Sequence, residues 1–200
     1  MVYHSKILLI RVSSREELIR IVRKAQTWIS ILLFLGVFLI SWKFTNFDIR
    51  EIELSKWGKE GWIGRIWNTA VCTFAISIFI NSFYYLKNNN RVKYKRIFYW
   101  LFGFLSLCLF LVGFFNMNWG FVHNAFAVLY FFFYPFTIFL YSYLNRKYLS
   151  YKDWKHKVII SISMAVFPMI LLSLFKGMAI AEIAHTTLVI IYNIKLSRQD

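Results

Sequence analysis

A carboxylate and an imidazole lie three residues apart in an apolar stretch of this 200-residue chain. In GMAIAEIAHTTLVIIYN (177–193), Glu182 and His185 interrupt a run that is long enough to cross hydrocarbon as a helix. Residues at i and i+3 share one helix face. An ionisable residue inside a membrane helix is by default a functional-site hypothesis, because hydrocarbon penalises it. We expect Glu182 to point into the protein, and His185 either to donate a hydrogen bond to it or to bind a ligand with it.

A metal site is one interpretation of this Glu-x-x-His spacing, which helical bundles use for carboxylate-bridged metals. Such a site needs about three protein ligands. The candidate ligands of a divalent metal are His123, Glu182 and His185, with Glu53 above them. A hydrogen-bonded polar cluster that binds a head group is the interpretation we favour, and a structural pair that only joins helices is the third.

The apolar content of the chain is typical of a membrane protein. Hydrophobic residues make up 59% of the sequence, against an average of about 45–50%. The excess falls in six segments, most of them holding the ~20 residues that cross ~30 Å of hydrocarbon. These segments lie near residues 27–44, 64–86, 97–116, 120–144, 157–175 and 178–195. Short connections force antiparallel neighbours, so we predict an all-α polytopic protein, an antiparallel six-helix transmembrane bundle.

The chain before the first span is predicted to form an amphipathic arm. Ser14 and Glu17 have the spacing of a capping box, and apolar residues follow at helical spacing. We expect a short N-terminal interfacial helix that leads into the first span. The predicted organisation is a cytoplasmic or interfacial arm (1–26), a transmembrane domain (27–195) with an external loop (45–63), and a cytoplasmic tail (196–200).

The basic residues are distributed unequally over the two sides of the predicted bundle. The formal net charge is +15, and 18 of the 24 Lys and Arg residues fall on the side of the two termini. An excess of Lys and Arg marks the cytoplasmic side, so we predict a cell-membrane protein with both termini in the cytoplasm. The basic side suits contact with anionic lipids. Nucleic acid is excluded as the expected partner, because no RNA- or DNA-binding module is recognisable.

Four polar residues on three predicted helices lie at a similar depth. At ~1.5 Å per residue from the external helix ends, Asn68 and Glu182 lie ~6 Å down, His123 ~5 Å and His185 ~10 Å. Their common depth predicts a polar pocket in the outer half of the bundle, below the loop that carries Glu53. We take these five residues as the candidate ligand-binding set.

The external loop is expected to fold back over this pocket. Its carboxylates would otherwise stand above a polar pocket that needs closing. Trp57 and Trp62 in the loop suit the head-group level, where tryptophan is enriched in membrane proteins.

Three stretches carry a family resemblance. FDIREIELSKWGKEGWIGRIWN (47–68) resembles the first external loop of an uncharacterised prokaryotic six-span membrane family, domain of unknown function 998. HNAFAVLYFFFYP (123–135) is similar to the fourth span of that family, and residues 177–193 are similar to its last. The motif positions that carry over are Glu53 or Glu51, Gly58 or Gly61, Trp67, Asn68, His123 and Glu182. The arm is extra, a serine of the loop motif is replaced, and His185 has no counterpart.

The resemblance implies a lipid-related role, because this family is similar to the FRAG/DRAM/SFK group, some of whose members are linked to lipid and GPI-anchor processing. Three functions stay open. The first is an integral membrane protein whose outer-half polar pocket binds or modifies a lipid or isoprenoid head group. The second is a non-catalytic subunit of a larger complex, with other membrane subunits or further copies as partners. The third is a small transporter. The sequence assigns no reaction.

Overall fold

The computed structural model describes residues 2–198 apart from 45–53, 60, 90 and 91, and it describes side chains from Glu16 onward. Within these residues all regular structure is helical, and six helices are long and apolar enough to cross a membrane. They are α1 (Val2–Phe44), α2 (Gly61–Asn88), α3 (Lys95–Phe114), α4 (Phe121–Leu144), α5 (Tyr151–Leu174) and α6 (Ala179–Arg198). A helix satisfies its backbone polar groups within its own segment, which hydrocarbon demands. The predicted all-α fold is confirmed.

The first helix is longer than the predicted first span. α1 continues through the predicted arm into the span without a break. Between Ser14 and Phe44 the sequence holds no proline and one glycine, Gly36, so this stretch contains no strong helix breaker. The helix expected at the start of the chain is therefore continuous with the first membrane-spanning helix.

The helices close into a ring. Each helix packs against the next one along the chain, and α6 also contacts α1 and α2. We call the end of the bundle with residues 54–59, 115–120 and 175–178 the loop end. The opposite end, with residues 89, 92–94 and 145–150, is the terminal end.

A polar network fixes α6 against the first two helices. The Asn81 side-chain amide on α2 donates to Thr27 Oγ1 on α1 at 2.8 Å and to Asn193 Oδ1 on α6 at 2.9 Å. The Asn193 amide donates in turn to Ser77 Oγ at 3.0 Å. Nearer the terminal end, Arg23 Nη2 donates to two backbone carbonyls of α6. Hydrogen bonds of this kind join helices inside a membrane, so the register of α6 is set by its terminal half.

An ion-pair cluster ties α5 to α6 at the same end. Lys157 is fully buried, and its ammonium group lies 2.7 Å from the Asp153 carboxylate. Lys195 of α6 approaches the same carboxylate to 3.3 Å. Tyr85 of α2 donates its hydroxyl to Asp153 at 3.3 Å. A buried ammonium is tolerated only when it is paired, as it is here.

At the loop end, α2 and α3 approach closely at a glycine. A Cβ atom on Gly113 would lie 2.7 Å from Cys72 Sγ and 2.8 Å from the carbonyl oxygen of Asn68. Small residues allow helix backbones to come this near in membrane bundles. The contact brings the part of α2 that carries Asn68 against α3.

Candidate functional site

A short 3₁₀ helix, Leu54–Lys59, covers the loop end of the bundle, and we call it the loop helix. Trp57 within it is 1% exposed. Its ring packs edge-on against Phe38 of α1 and Trp67 of α2, with centroid separations of 5.3 and 5.1 Å. The described part of the predicted external loop therefore folds back over the bundle. Trp57 lies in the protein interior, because aromatic partners from two helices enclose it.

Glu182 holds the loop helix against α6. Its Oε2 accepts a hydrogen bond from the Leu54 backbone N–H at 2.7 Å. Leu54 is the first residue of the loop helix, and the first N–H groups of a helix have no partner within it. A carboxylate there is also favoured by the helix dipole. The Glu182 carboxylate, in the first turn of α6, therefore caps the first N–H of the loop helix.

The loop helix also rests directly on α2. A Cβ atom on Gly64 would lie 2.6 Å from the carbonyl oxygen of Gly58, so only glycine admits this approach. One turn further along α2, the Asn68 side-chain amide donates to the same carbonyl at 3.4 Å. Asn68 thus contributes to the attachment of the loop helix.

The tautomer of His123 is determined by its partner. His123 is 4% exposed, and its Nδ1 lies 2.7 Å from the carbonyl oxygen of Phe115. Phe115 follows the last residue of α3, where carbonyl groups have lost their helical partners. A carbonyl can only accept, so Nδ1 carries the proton, and Nε2 of the neutral ring is an acceptor.

The same argument applies to His185, which is 2% exposed. Its Nδ1 lies 3.2 Å from the carbonyl oxygen of Met164 on α5. Pro168 stands four residues after Met164 and has no N–H, so it leaves that carbonyl without its helical bond. The proton is on Nδ1, and Nε2 is a buried acceptor without a partner among residues 16–198 as far as the structure describes them. The suggested hydrogen bond from His185 to Glu182 is not formed, because the Met164 carbonyl takes the donor.

A small cavity lies beneath the loop helix. Asn68, His123 and Glu182 line it together with Tyr130, and its volume is about 70 Å³. A cavity of ~10–15 Å³ already holds a water molecule, so this one has room for water. Three of the five candidate residues therefore border one space.

A much larger groove of about 610 Å³ separates α4 from α5, and we call it the α4–α5 groove. At the loop end Ser55, His123, Asn124 and Glu182 line it, and His185 lies in its wall. The rest of the lining is predominantly apolar. Residues of this lining on α4 and α5, among them Val128, Phe132, Phe136, Met169 and Leu172, are exposed on the outside of the bundle. The groove therefore opens sideways, towards the space that lipid fills around a membrane protein.

The α4–α5 groove extends far along the bundle. Phe139 lines its deep end, 18 residues after Phe121 at the start of α4. At ~1.5 Å per residue this distance is ~27 Å, against ~15 Å for half of a ~30 Å hydrocarbon layer. Pro135 and Pro168, which interrupt the hydrogen-bond ladders of α4 and α5, both line it. The groove is long enough for an extended hydrocarbon chain.

The candidate metal ligands do not come together in the described part of the chain. Among the residues that the structure describes, no three His, Cys, Asp or Glu side chains come close enough to hold a metal ion. The proposed metal ligands His123, Glu182 and His185 do not form such a group, and the two imidazoles bond to carbonyl oxygens of different residues, Phe115 and Met164. Glu53, the fourth candidate, lies outside the described residues.

Sequence reasoning missed three contributors to the site. Ser55 and Asn124 line the groove at its polar end. Pro168 frees the Met164 carbonyl that orients His185, although it carries no polar side chain. The sequence does indicate this free carbonyl, because a proline within a helix has no N–H to bond the carbonyl four residues earlier.

The model of a protein family described as "Protein of unknown function (DUF998)" matches residues 28–197. No curated protein sequence and no solved structure matches this chain. The match covers all six helices and excludes most of the N-terminal extension of α1, so the loop helix and both cavities lie within the family's region.

Proposed function

Because the chain belongs to the DUF998 family, whose function is unknown, we propose a function from its site: it binds a membrane lipid, with the hydrocarbon chain in the α4–α5 groove and the head group at the loop end. The groove is the observation that carries this proposal. Ligand pockets typically enclose 300–1,000 Å³, are mostly apolar and have a few polar groups, and the groove, at about 610 Å³, has these properties. Its sideways opening lets a lipid enter without crossing water.

The polar groups are placed where an amphiphile needs them. His123, Asn124 and Glu182 lie at the loop end of the groove, and beyond His185 the lining is almost entirely apolar. A lipid that enters with its chain along α4 presents its head group to the first three. A transporter would need polar groups along its whole path, so this lining favours binding over transport.

We propose further that the loop end faces the outside of the cell. The 18 Lys and Arg residues on the terminal side support this orientation. In a background with Cys72 and Cys108 replaced by alanine, we expect a membrane-impermeant maleimide to label Lys59→Cys in intact cells and to leave Lys147→Cys unlabelled. Both positions are exposed, so accessibility in the protein does not distinguish them. Labelling at residue 147 alone would reverse the orientation.

Filling the groove is expected to remove the bound lipid. Ala165 is exposed and lines the groove, so Ala165→Trp places an indole where the chain lies without displacing packed side chains. We expect the amount of lipid that co-purifies, quantified by native mass spectrometry, to fall about tenfold, because a lipid chain forced into the same space as the indole meets an overpacking cost of about 1–3 kcal/mol.

Val166→Trp is the matched control for this experiment. Val166 is the next residue of α5 and is 47% exposed, but it does not line the groove. We expect this variant to retain lipid as the wild type does. Equal retention by Ala165→Trp and Val166→Trp would mean that the groove is not the lipid site.

A further inference from the structure

We infer that the terminal end of the bundle carries a second lipid site, formed by residues 92–94 and 145–149, which binds the head group of an anionic phospholipid. None of these residues lines the α4–α5 groove, so the site is separate from the one proposed above. The inference therefore goes beyond the proposed function, because it names another ligand at another place on the protein.

The side chain of Asn145 joins two turns at this end. Asn145 is fully buried, and its Oδ1 accepts a hydrogen bond from the Lys93 backbone N–H at 2.7 Å. Its Nδ2 donates to the carbonyl oxygen of Tyr141, near the end of α4, at 3.0 Å. The turn between α2 and α3 is thus fixed against the turn between α4 and α5. Lys93 is therefore held beside the turn that carries Arg146 and Lys147.

Aromatic rings hold two of the cationic groups in place. The Arg146 guanidinium carbon lies 4.6 Å from the centre of the Trp154 ring, and Lys93 Nζ lies 5.8 Å from the centre of the Tyr148 ring. A cation within about 6 Å of a ring centroid is attracted to the ring face. Both side chains remain exposed, so their N–H groups are within reach of a ligand. Because two long side chains are already restrained, binding costs less side-chain entropy.

The two turns carry positive charge that is not neutralised within them. Residues 92–94 and 145–149 contain three basic side chains and no acidic one. Asp153, the next acidic residue along the chain, is already paired with Lys157 and Lys195. Arg and Lys are the side chains that recognise phosphate groups. The turns therefore suit an anionic phosphate group.

The depth of the site favours a phospholipid over a soluble phosphate compound. α4 has 24 residues and is therefore ~36 Å long, against ~30 Å for the hydrocarbon layer. The turn that follows it lies at the head-group level. Tyr143 and Tyr151 on either side of this turn are 68% and 71% exposed, and tyrosine is enriched at that level. A phosphate bound there leaves the acyl chains of its lipid in the membrane beside α4.

The test compares an anionic and a zwitterionic phospholipid with the same chains. Purified protein in detergent is titrated with an equal mixture of dioleoylphosphatidylglycerol and dioleoylphosphatidylcholine, and binding is measured by native mass spectrometry. We expect the wild type to bind the anionic lipid about tenfold more tightly. A Lys or Arg near an anionic lipid contributes about fivefold in affinity, so Lys93→Gln/Arg146→Gln/Lys147→Gln should bind the two lipids equally, to within about twofold.

The matched control removes the same charge from the loop end. Lys56→Gln/Lys59→Gln/Lys176→Gln also replaces three exposed basic residues. We expect this variant to keep the tenfold preference. An equal loss of preference in the two triple variants would show that the net charge of the protein attracts the lipid, and it would overturn the site.

Two further arms exclude other ligands and other places. Ala165→Trp, which fills the groove, should keep the preference, and its loss there would assign the anionic lipid to the groove instead. Inorganic phosphate at the concentration of the lipids should not displace phosphatidylglycerol, and displacement would overturn the assignment to a lipid.

A measurement on wild-type protein decides the inference even if the triple variant does not fold. Phosphatidylglycerol with a photoreactive diazirine near its head group is cross-linked to the protein, and the adducts are mapped by peptide mass spectrometry. We expect adducts within residues 92–96 and 143–155. Adducts found only elsewhere would overturn the site.

Discussion

Replacing Gly64 with alanine is expected to lift the loop helix off α2 and to expose Trp57. The new Cβ atom would lie 2.6 Å from the carbonyl oxygen of Gly58, 2.9 Å from its carbonyl carbon and 3.1 Å from the carbonyl oxygen of Trp57. All three are backbone atoms, so they can move only if the loop helix moves. Hydrogen exchange of the backbone amides of residues 54–59 should become about tenfold to a hundredfold faster, because overpacking costs about 1–3 kcal/mol.

Gly36→Ala is the matched control for this change. Gly36 also lies within a membrane-spanning helix, and a Cβ atom there would meet nothing within 4 Å. We expect the loop helix to keep its wild-type protection, and α1 to gain about 1 kcal/mol or less from the better helix former. If the amides of residues 54–59 exchange as slowly in Gly64→Ala as in Gly36→Ala, the close packing of Gly64 does not hold the loop helix in place.

Replacing Glu182 with leucine is expected to release the start of the loop helix, whereas glutamine should retain it. The Leu54 N–H would lose its acceptor in Glu182→Leu, while the amide oxygen of glutamine can still accept from it. Hydrogen bonds to charged groups contribute about 1.5–3 kcal/mol, so exchange at Leu54 should become about tenfold to a hundredfold faster in the leucine variant. Hydrogen exchange by mass spectrometry of the two variants measures this difference.

The glutamine variant also separates attachment from ligand binding. If the negative charge contributes to recognition of the head group, Glu182→Gln keeps the loop helix in place and yet retains less lipid than the wild type. Equal protection of Leu54 in the leucine and wild-type proteins would show that the hydrogen bond from Leu54 is dispensable.

The helices could be predicted from the sequence because a membrane-spanning helix requires only a pattern of consecutive residues. About 20 apolar residues must follow one another to cross it, and this pattern is visible without any tertiary contact. The position of Trp57 could not be predicted in the same way. Trp57 is buried because Phe38 of α1 and Trp67 of α2 pack against it, and this tertiary contact has no signature in the spacing of apolar residues.

Some residues of the candidate site were named from the sequence, but their hydrogen-bond partners were not. The cost of a carboxylate in hydrocarbon led to Glu182, and a common depth led to Asn68 and His123. The partner of His185 depends on which helix packs beside α6. Pro168 indicates that the carbonyl of Met164 is free, but the sequence does not say which donor reaches it.

The hydrogen bond that joins the first and last helices has a consequence for biosynthesis. Arg23 on the first helix donates to the carbonyl oxygen of Leu196 on the sixth, 173 residues away. At about 5–20 residues per second, a ribosome needs roughly 10–35 s to make the intervening chain. During that interval the first helix already occupies the membrane without the helix that completes its polar contacts, so the translocon or a chaperone must shelter it until the ring closes.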